Sequence, residues 1–198
     1  MKKVFAIAAA LMMLATAANA QSFGAGYVQS TSNRAASNGF YAGFGYSAEI
    51  MPGLSLYPGI YYEFLTNSNG AGLGDILSIS GKTTEHYVNV PLHLSYALQL
   101  APNFKFFVYG GPTANMGIAS STKTSVSSVI GGGSDTKNNY DNENYSRFDI
   151  LAGVGGGIEV MNKFRVNVGY DWGLLDRNKS ENATLKRNRL TAGVAFIF

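Results

Sequence analysis

The chain of 198 residues contains no cysteine, a single tryptophan and only 14% charged residues. Without cysteine it can form no disulfide framework, thiolate metal site, thiol nucleophile or N-terminal lipoprotein anchor. The two histidines have no clustered pair of carboxylates beside them, a poor basis for a metal site. No cofactor fingerprint is present either. Gly153, Gly155 and Gly157 sit inside an alternating segment and not between a strand and a helix, so they make room for large neighbours instead of cradling phosphate. Beyond the first twenty residues the chain has no apolar run approaching the ~18 residues of a membrane helix.

An excess of charge is also missing once the N-terminus is set aside. Lys2 and Lys3 precede the apolar run Val4 to Ala17, which ends in Ala18-Asn19-Ala20, the pattern of an export peptide cleaved before Gln21. Residues 1–20 are therefore read as a leader and 21–198 as one domain. Removing the two leader lysines from the 15 basic residues leaves 13 against 12 acidic ones. The basic pI thus belongs largely to the leader, which argues against a nucleic-acid partner.

What is present is alternation. From residue 22 onward, segments of alternating polarity near 22–29, 38–50, 54–66, 82–100, 104–119, 146–160, 164–175 and 187–198 are separated by turns, and helical periodicity is nowhere sustained. The connections alternate too. Met51-Pro52-Gly53, Ala101-Pro102-Asn103 and Met161-Asn162-Lys163 are tight, whereas 30–37, 67–81, 120–145 and 176–186 are longer and polar, the 120–145 stretch reading as a mobile loop. Eight strands joined by short turns on one side and long loops on the other predict an all-β, eight-stranded antiparallel up-and-down transmembrane β-barrel, with turns and chain ends periplasmic.

Parity tells the two faces apart. One parity carries Phe44, Tyr62, Leu94, Phe106, Val154, Trp172 and Val194 and no charge; the other carries Glu49, Glu63, His93, Lys105, Asp149, Glu159, Arg165 and Asp171. A soluble barrel would also alternate, with its apolar side inward. Aromatic residues gathered near strand ends, at Tyr62, Phe64, Phe104, Phe106, Tyr170 and Trp172, favour interfacial girdles and an apolar exterior.

Four segments carry a family resemblance. They are His86-Tyr87-Val88-Asn89-Val90-Pro91-Leu92, Phe107-Val108-Tyr109-Gly110-Gly111-Pro112, Phe148-Asp149-Ile150-Leu151-Ala152-Gly153-Val154-Gly155, and Tyr170-Asp171-Trp172-Gly173-Leu174. In this order they resemble the porin-like outer membrane protein beta-barrel domain family that includes PorT-like proteins, with an architecture similar to the OmpX and OmpA barrels. The resemblance implies residence in the outer membrane of a Gram-negative cell and little chemistry. The terminal Phe198 resembles the aromatic insertion signal through which the barrel-assembly machinery receives such proteins.

Three groups of residues are candidates for function. If 161–163 is a three-residue turn, Glu159 and Arg165 stand opposite each other and Lys105 reaches the same level, forming a charge cluster on the lumen floor that balances a closed interior or lines a gate. His93 and Ser95 share a face, with Glu63 on the adjacent strand as a possible orienting carboxylate, and resemble the His-x-Ser of outer-membrane lipid A deacylases. That set lacks a Glu about a dozen residues later and faces the lumen instead of lipid, so the chain is read as non-enzymatic. Lys179, Lys186, Arg187 and Arg189 are read as a basic outer rim in contact with lipopolysaccharide phosphates. The expectation is a monomeric barrel in outer-membrane lipid, without cofactor, whose outer loops meet surface partners or support the envelope. A small-solute pore, a lipid A hydrolase and a secretion accessory are the alternatives.

Overall fold

The computed structural model of the protein describes residues 20–32, 35–73, 77–128, 131–141, 145–178 and 184–198. Apart from Ala20, the residues 1–20 expected to form a leader lie outside them. The described elements are β1 (Ala20–Ser32), β2 (Ala36–Met51), β3 (Leu54–Leu73), β4 (Leu77–Ala101), β5 (Phe104–Ser128), β6 (Gly131–Asn138), a 3₁₀ turn (Asn139–Asp141), β7 (Phe148–Val160), β8 (Phe164–Gly173) and β9 (Arg187–Ile197). Neighbours in sequence pair antiparallel, except that β5 passes over β6 to pair with β7, and β1 closes the ring against β9 from Ser22↔Ile197 to Ser32↔Arg187. Eight strands form the barrel. The ninth, β6, pairs with β5 outside the ring.

Closure satisfies the backbone where no water is available, and parity does the rest. Outward side chains are large, apolar and half exposed, among them Phe44 (47%), Val154 (54%), Trp172 (47%) and Val194 (59%). Inward ones are polar and buried: Glu63, Asn89, Thr113, Asn115 and Asp149 are at most 1% exposed. This inside-out arrangement is stable only if hydrocarbon surrounds the strands.

At one end the tight turns behave as the sequence predicts. Gly53 (φ 81°) and the pair Met161 and Asn162 (φ 57° and 55°) take the left-handed conformation that these short reversals need. The start of β1 and the C-terminal residue meet here too: the Phe198 N–H donates to Gln21 O at 2.8 Å and the Gln21 N–H to Phe198 O at 3.3 Å.

The other end differs from expectation. Within the stretches at 67–81 and 120–145, residues 67–73, 77–81, 120–128 and 131–138 are strand and not irregular loop, because β3 and β4 stay paired to Leu73↔Leu77, β4 and β5 to Leu77↔Ser128, and β5 and β6 to Ser128↔Gly131. The outer parts of β3, β4 and β5, with β6, make a four-stranded sheet that continues beyond the barrel. A strand solvated on both faces needs no apolar alternation, so Ser, Thr, Gly and Asn hide it from a periodicity search while main-chain pairing holds it together.

Candidate functional site

The charged residues converge in the lumen, in layers. At the floor, adjacent strands bring Lys105, Glu159 and Arg165 side by side through the pairs Lys105↔Glu159 and Glu159↔Arg165. Lys105 Nζ lies 3.1 Å from Glu159 Oε1, and Arg165 Nε lies 2.8 Å from Oε2. The Arg165 guanidinium also covers the rings of Phe107 at 4.8 Å and Tyr57 at 5.3 Å. One carboxylate thus holds two cations, with the geometry that the three-residue turn predicts.

Above the floor is a cavity of about 100 Å³ lined by Tyr41, Tyr57, Tyr61, His93 and Tyr109, with Arg165 below and Arg189 above. It has room for several water molecules. His93 stacks on Tyr109 at 5.2 Å, and its Nε2 lies 3.2 Å from Thr113 Oγ1. Tyr109 fits because a side chain at Gly155 or Gly169 would collide with its phenol.

The next layer is a buried ion network. Glu63 receives Arg187 Nη2 at 3.0 Å on one oxygen and Arg189 Nη1 at 3.1 Å on the other, while Arg189 Nη2 lies 2.8 Å from Asp171 Oδ2. Asn89 donates to Glu63 at 3.0 Å, and Asn115 donates to Asn89 at 2.6 Å. Five strands, β3, β4, β5, β8 and β9, contribute groups to this network, which cross-braces the ring.

Connecting segments supply the roof. Arg177, following β8, donates from Nη1 to the Tyr87 hydroxyl at 2.8 Å, and its guanidinium lies against the rings of Tyr87 and Tyr145 at 5.1 and 4.6 Å. The Tyr87 and Tyr145 hydroxyls both donate to Glu85 Oε1, at 2.6 and 3.1 Å. Burial, with the Glu85 carboxylate next in effect, pushes the Tyr145 phenol up to about 12. Asp176 anchors the turn that carries Arg177 by accepting backbone N–H bonds from Leu185 at 2.8 Å and Asn178 at 2.9 Å.

The structure separates two other groups. His93 and Ser95 line the same cavity, but β3–β4 register places Tyr57 opposite His93 and Glu63 opposite Tyr87. Glu63 is therefore six residues, ~20 Å, farther along and is committed to two arginines. No orienting carboxylate reaches the imidazole from that position. The basic rim needs correction as well. Arg187 and Arg189 are 3% and 8% exposed and face inward, because Leu190 and Val194 take the outward parity of β9. Lys186 is exposed, and Lys179 lies outside the described residues. Phe198 is outward, 61% exposed and stacked on Phe196 at 6.4 Å. The sequence reading placed Glu63 and Asp171 inward without finding their partners, and it missed Arg177, Tyr87 and Glu85; strand parity alone was a sufficient signal for the two β9 arginines.

The family model described as "Outer membrane protein beta-barrel domain" matches residues 13–177. No curated protein sequence matches the chain. Similar solved structures include Ail, the attachment invasion locus protein of Yersinia pestis (14% identity, 90% of this chain and 98% of that one, TM-score 0.41). They also include the neisserial surface protein A (14%, 90% and 96%, TM-score 0.47) and the outer membrane enzyme PagL (12%, 89% and 98%, TM-score 0.48). With the closed ring, the apolar exterior and a family match over most of its length, the chain belongs to the outer membrane protein beta-barrel domain family and is an integral protein of the outer membrane.

Proposed function

We propose that this protein is a non-enzymatic, non-conducting barrel that holds an outer sheet at the cell surface, where the sheet contacts external partners or supports the envelope. One observation carries the reading: bonded polar side chains occupy the lumen at successive levels from the Glu159 floor to the Arg177 roof, while β3, β4 and β5 continue outward far past the ring. Ions crossing the lumen would have to break the Glu63–Arg187–Arg189–Asp171 network, and interrupting a buried ion pair costs about 3–5 kcal/mol. A hydrolase of membrane lipid would need a nucleophile facing its acyl substrate, whereas Ser95 is buried and faces the lumen. In this reading the barrel is a monomer delivered to the barrel-assembly machinery through the last strand, which ends at Phe198.

The test is complementation with an arm-less chain. Short turns would replace residues 67–80 and 121–138 and leave the ring intact. In a deletion strain, the full chain restores surface attachment or detergent resistance and the arm-less chain, although inserted and folded, does not. Full complementation by the arm-less chain would contradict the proposal.

A further inference from the structure

The outer sheet has two unlike faces. Register aligns Ser68, Lys82, Lys123 and Thr136 in one row across β3, β4, β5 and β6. Lys82 and Lys123 are thus direct cross-strand neighbours, and both are exposed. Like charges placed opposite each other destabilise a sheet unless something neutralises them. Among the described residues no carboxylate pairs with either lysine. The rows above and below on the same face contain hydroxyls, one glycine and the amide of Asn138, and no acid. Asp135 and Glu85 belong to the opposite face, by alternation.

The height and direction of this face are fixed by the strand below it. On β4, His86 has the same parity as Lys82, and it sits in an aromatic belt on the lipid side. Its Nδ1 lies 2.5 Å from the Tyr62 hydroxyl, and its ring packs edge-on against Phe64 at 5.3 Å, with Phe40 stacked beyond. Such belts mark the boundary between hydrocarbon and headgroups. Lys82 stands four residues farther out, ~13 Å along a tilted strand, and its four-carbon stem can bend back toward the boundary. The extra residue Ile118 in β5, opposite the His86/Tyr87 step, brings Lys123 onto the outward face beside Lys82.

We infer that Lys82 and Lys123 form a binding site for the phosphate groups of the outer-leaflet glycolipid, with the flanking hydroxyls available to its sugars. Two adjacent ammonium groups that pair with no acid among the described residues suit a phosphate monoester, and the position above the belt brings that phosphate from the membrane. The inference rests on outer-membrane residence and does not depend on whether the lumen conducts.

The test uses the refolded full barrel, with folding verified by heat-modified gel migration, and lipopolysaccharide micelles as the probe. Lys82→Ser/Lys123→Ser should lower affinity at least 10-fold, and enzymatic dephosphorylation of the probe should lower wild-type affinity to the same level. Lys163→Ser, in the tight turn at the opposite end of the barrel, should leave it within twofold. Inorganic phosphate at millimolar concentration should not displace the glycolipid; displacement would mean a site for free phosphate and would overturn the assignment to lipid. Equal affinity of the folded double variant and wild type would overturn it too.

Discussion

Glu63 on β3 and Arg189 on β9 meet inside the barrel, Oε2 to Nη1 at 3.1 Å, although 126 residues separate them in sequence. Arg189 also holds Asp171, and Glu63 also holds Arg187, so one chain of alternating charge ties β3, β8 and β9 together across the lumen. The network braces the ring across its interior.

Glu63→Ala should therefore destabilise the barrel by about 3–5 kcal/mol, because two buried guanidinium groups lose their shared carboxylate. Chemical unfolding of the lipid-embedded protein measures this. A change below about 1 kcal/mol would mean that water already neutralises the arginines and that the brace is weak.

Tyr109 should be coupled to the glycine beneath it. A methyl group at Gly169 would meet the Tyr109 hydroxyl and the Thr191 hydroxyl, and the phenol is confined by His93 stacked against it. Gly169→Ala should cost about 1–3 kcal/mol in the wild-type background and clearly less beside Tyr109→Leu. Additive effects in a double-mutant cycle would contradict this packing.

Ser95→Ala should leave the acyl pattern of lipid A unchanged in cells that express the variant, since Glu63 lies six residues along the strand from the position opposite His93, whose Nε2 bonds Thr113 instead, and the pair faces the lumen. Mass spectrometry of extracted lipid A provides the check. An acyl chain retained in the variant and removed by wild type would identify an enzyme.

The turn carrying Arg177 should loosen in acid. Backbone N–H groups of Leu185 and Asn178 bond the Asp176 carboxylate and hold its pKa below the usual aspartate value. A depressed pKa means that the ionised form stabilises the turn; that stabilisation is complete above pH ~4 and is lost as pH falls through the folded value. Corrected for intrinsic rates, hydrogen exchange at the Leu185 amide should accelerate below pH ~4 in wild type and be fast at all pH values in Asp176→Ala. Exchange independent of pH in wild type would contradict the anchor.

The ring was legible because hydrocarbon enforces parity: every outward charge is costly, so a period of two identifies Phe44, Val154 and Trp172 as lipid-facing and Glu159 and Arg165 as partners across a turn. The same rule applied to β9 turns Arg187 and Arg189 inward. Reading them as a surface rim gave the proximity of the long connection more weight than parity. The extended parts of β4, β5 and β6 escaped because Ser, Thr and Gly in water carry no pattern, and their strand form comes from pairing partners far along the chain. Arg177 left no local trace, since its place under Tyr145 depends on how two connecting segments fold back over the mouth.

The proposal of a non-conducting lumen is tested most directly by single-channel recording of the folded barrel in planar bilayers at neutral pH. Wild type should insert without discrete conductance steps, because the Glu159 floor, the Glu63 network and the Arg177 roof set ion-paired and hydrogen-bonded side chains across the lumen at three levels. Reproducible steps from verified folded wild-type protein, altered when Glu159 or Arg165 is substituted, would contradict the account and identify a pore.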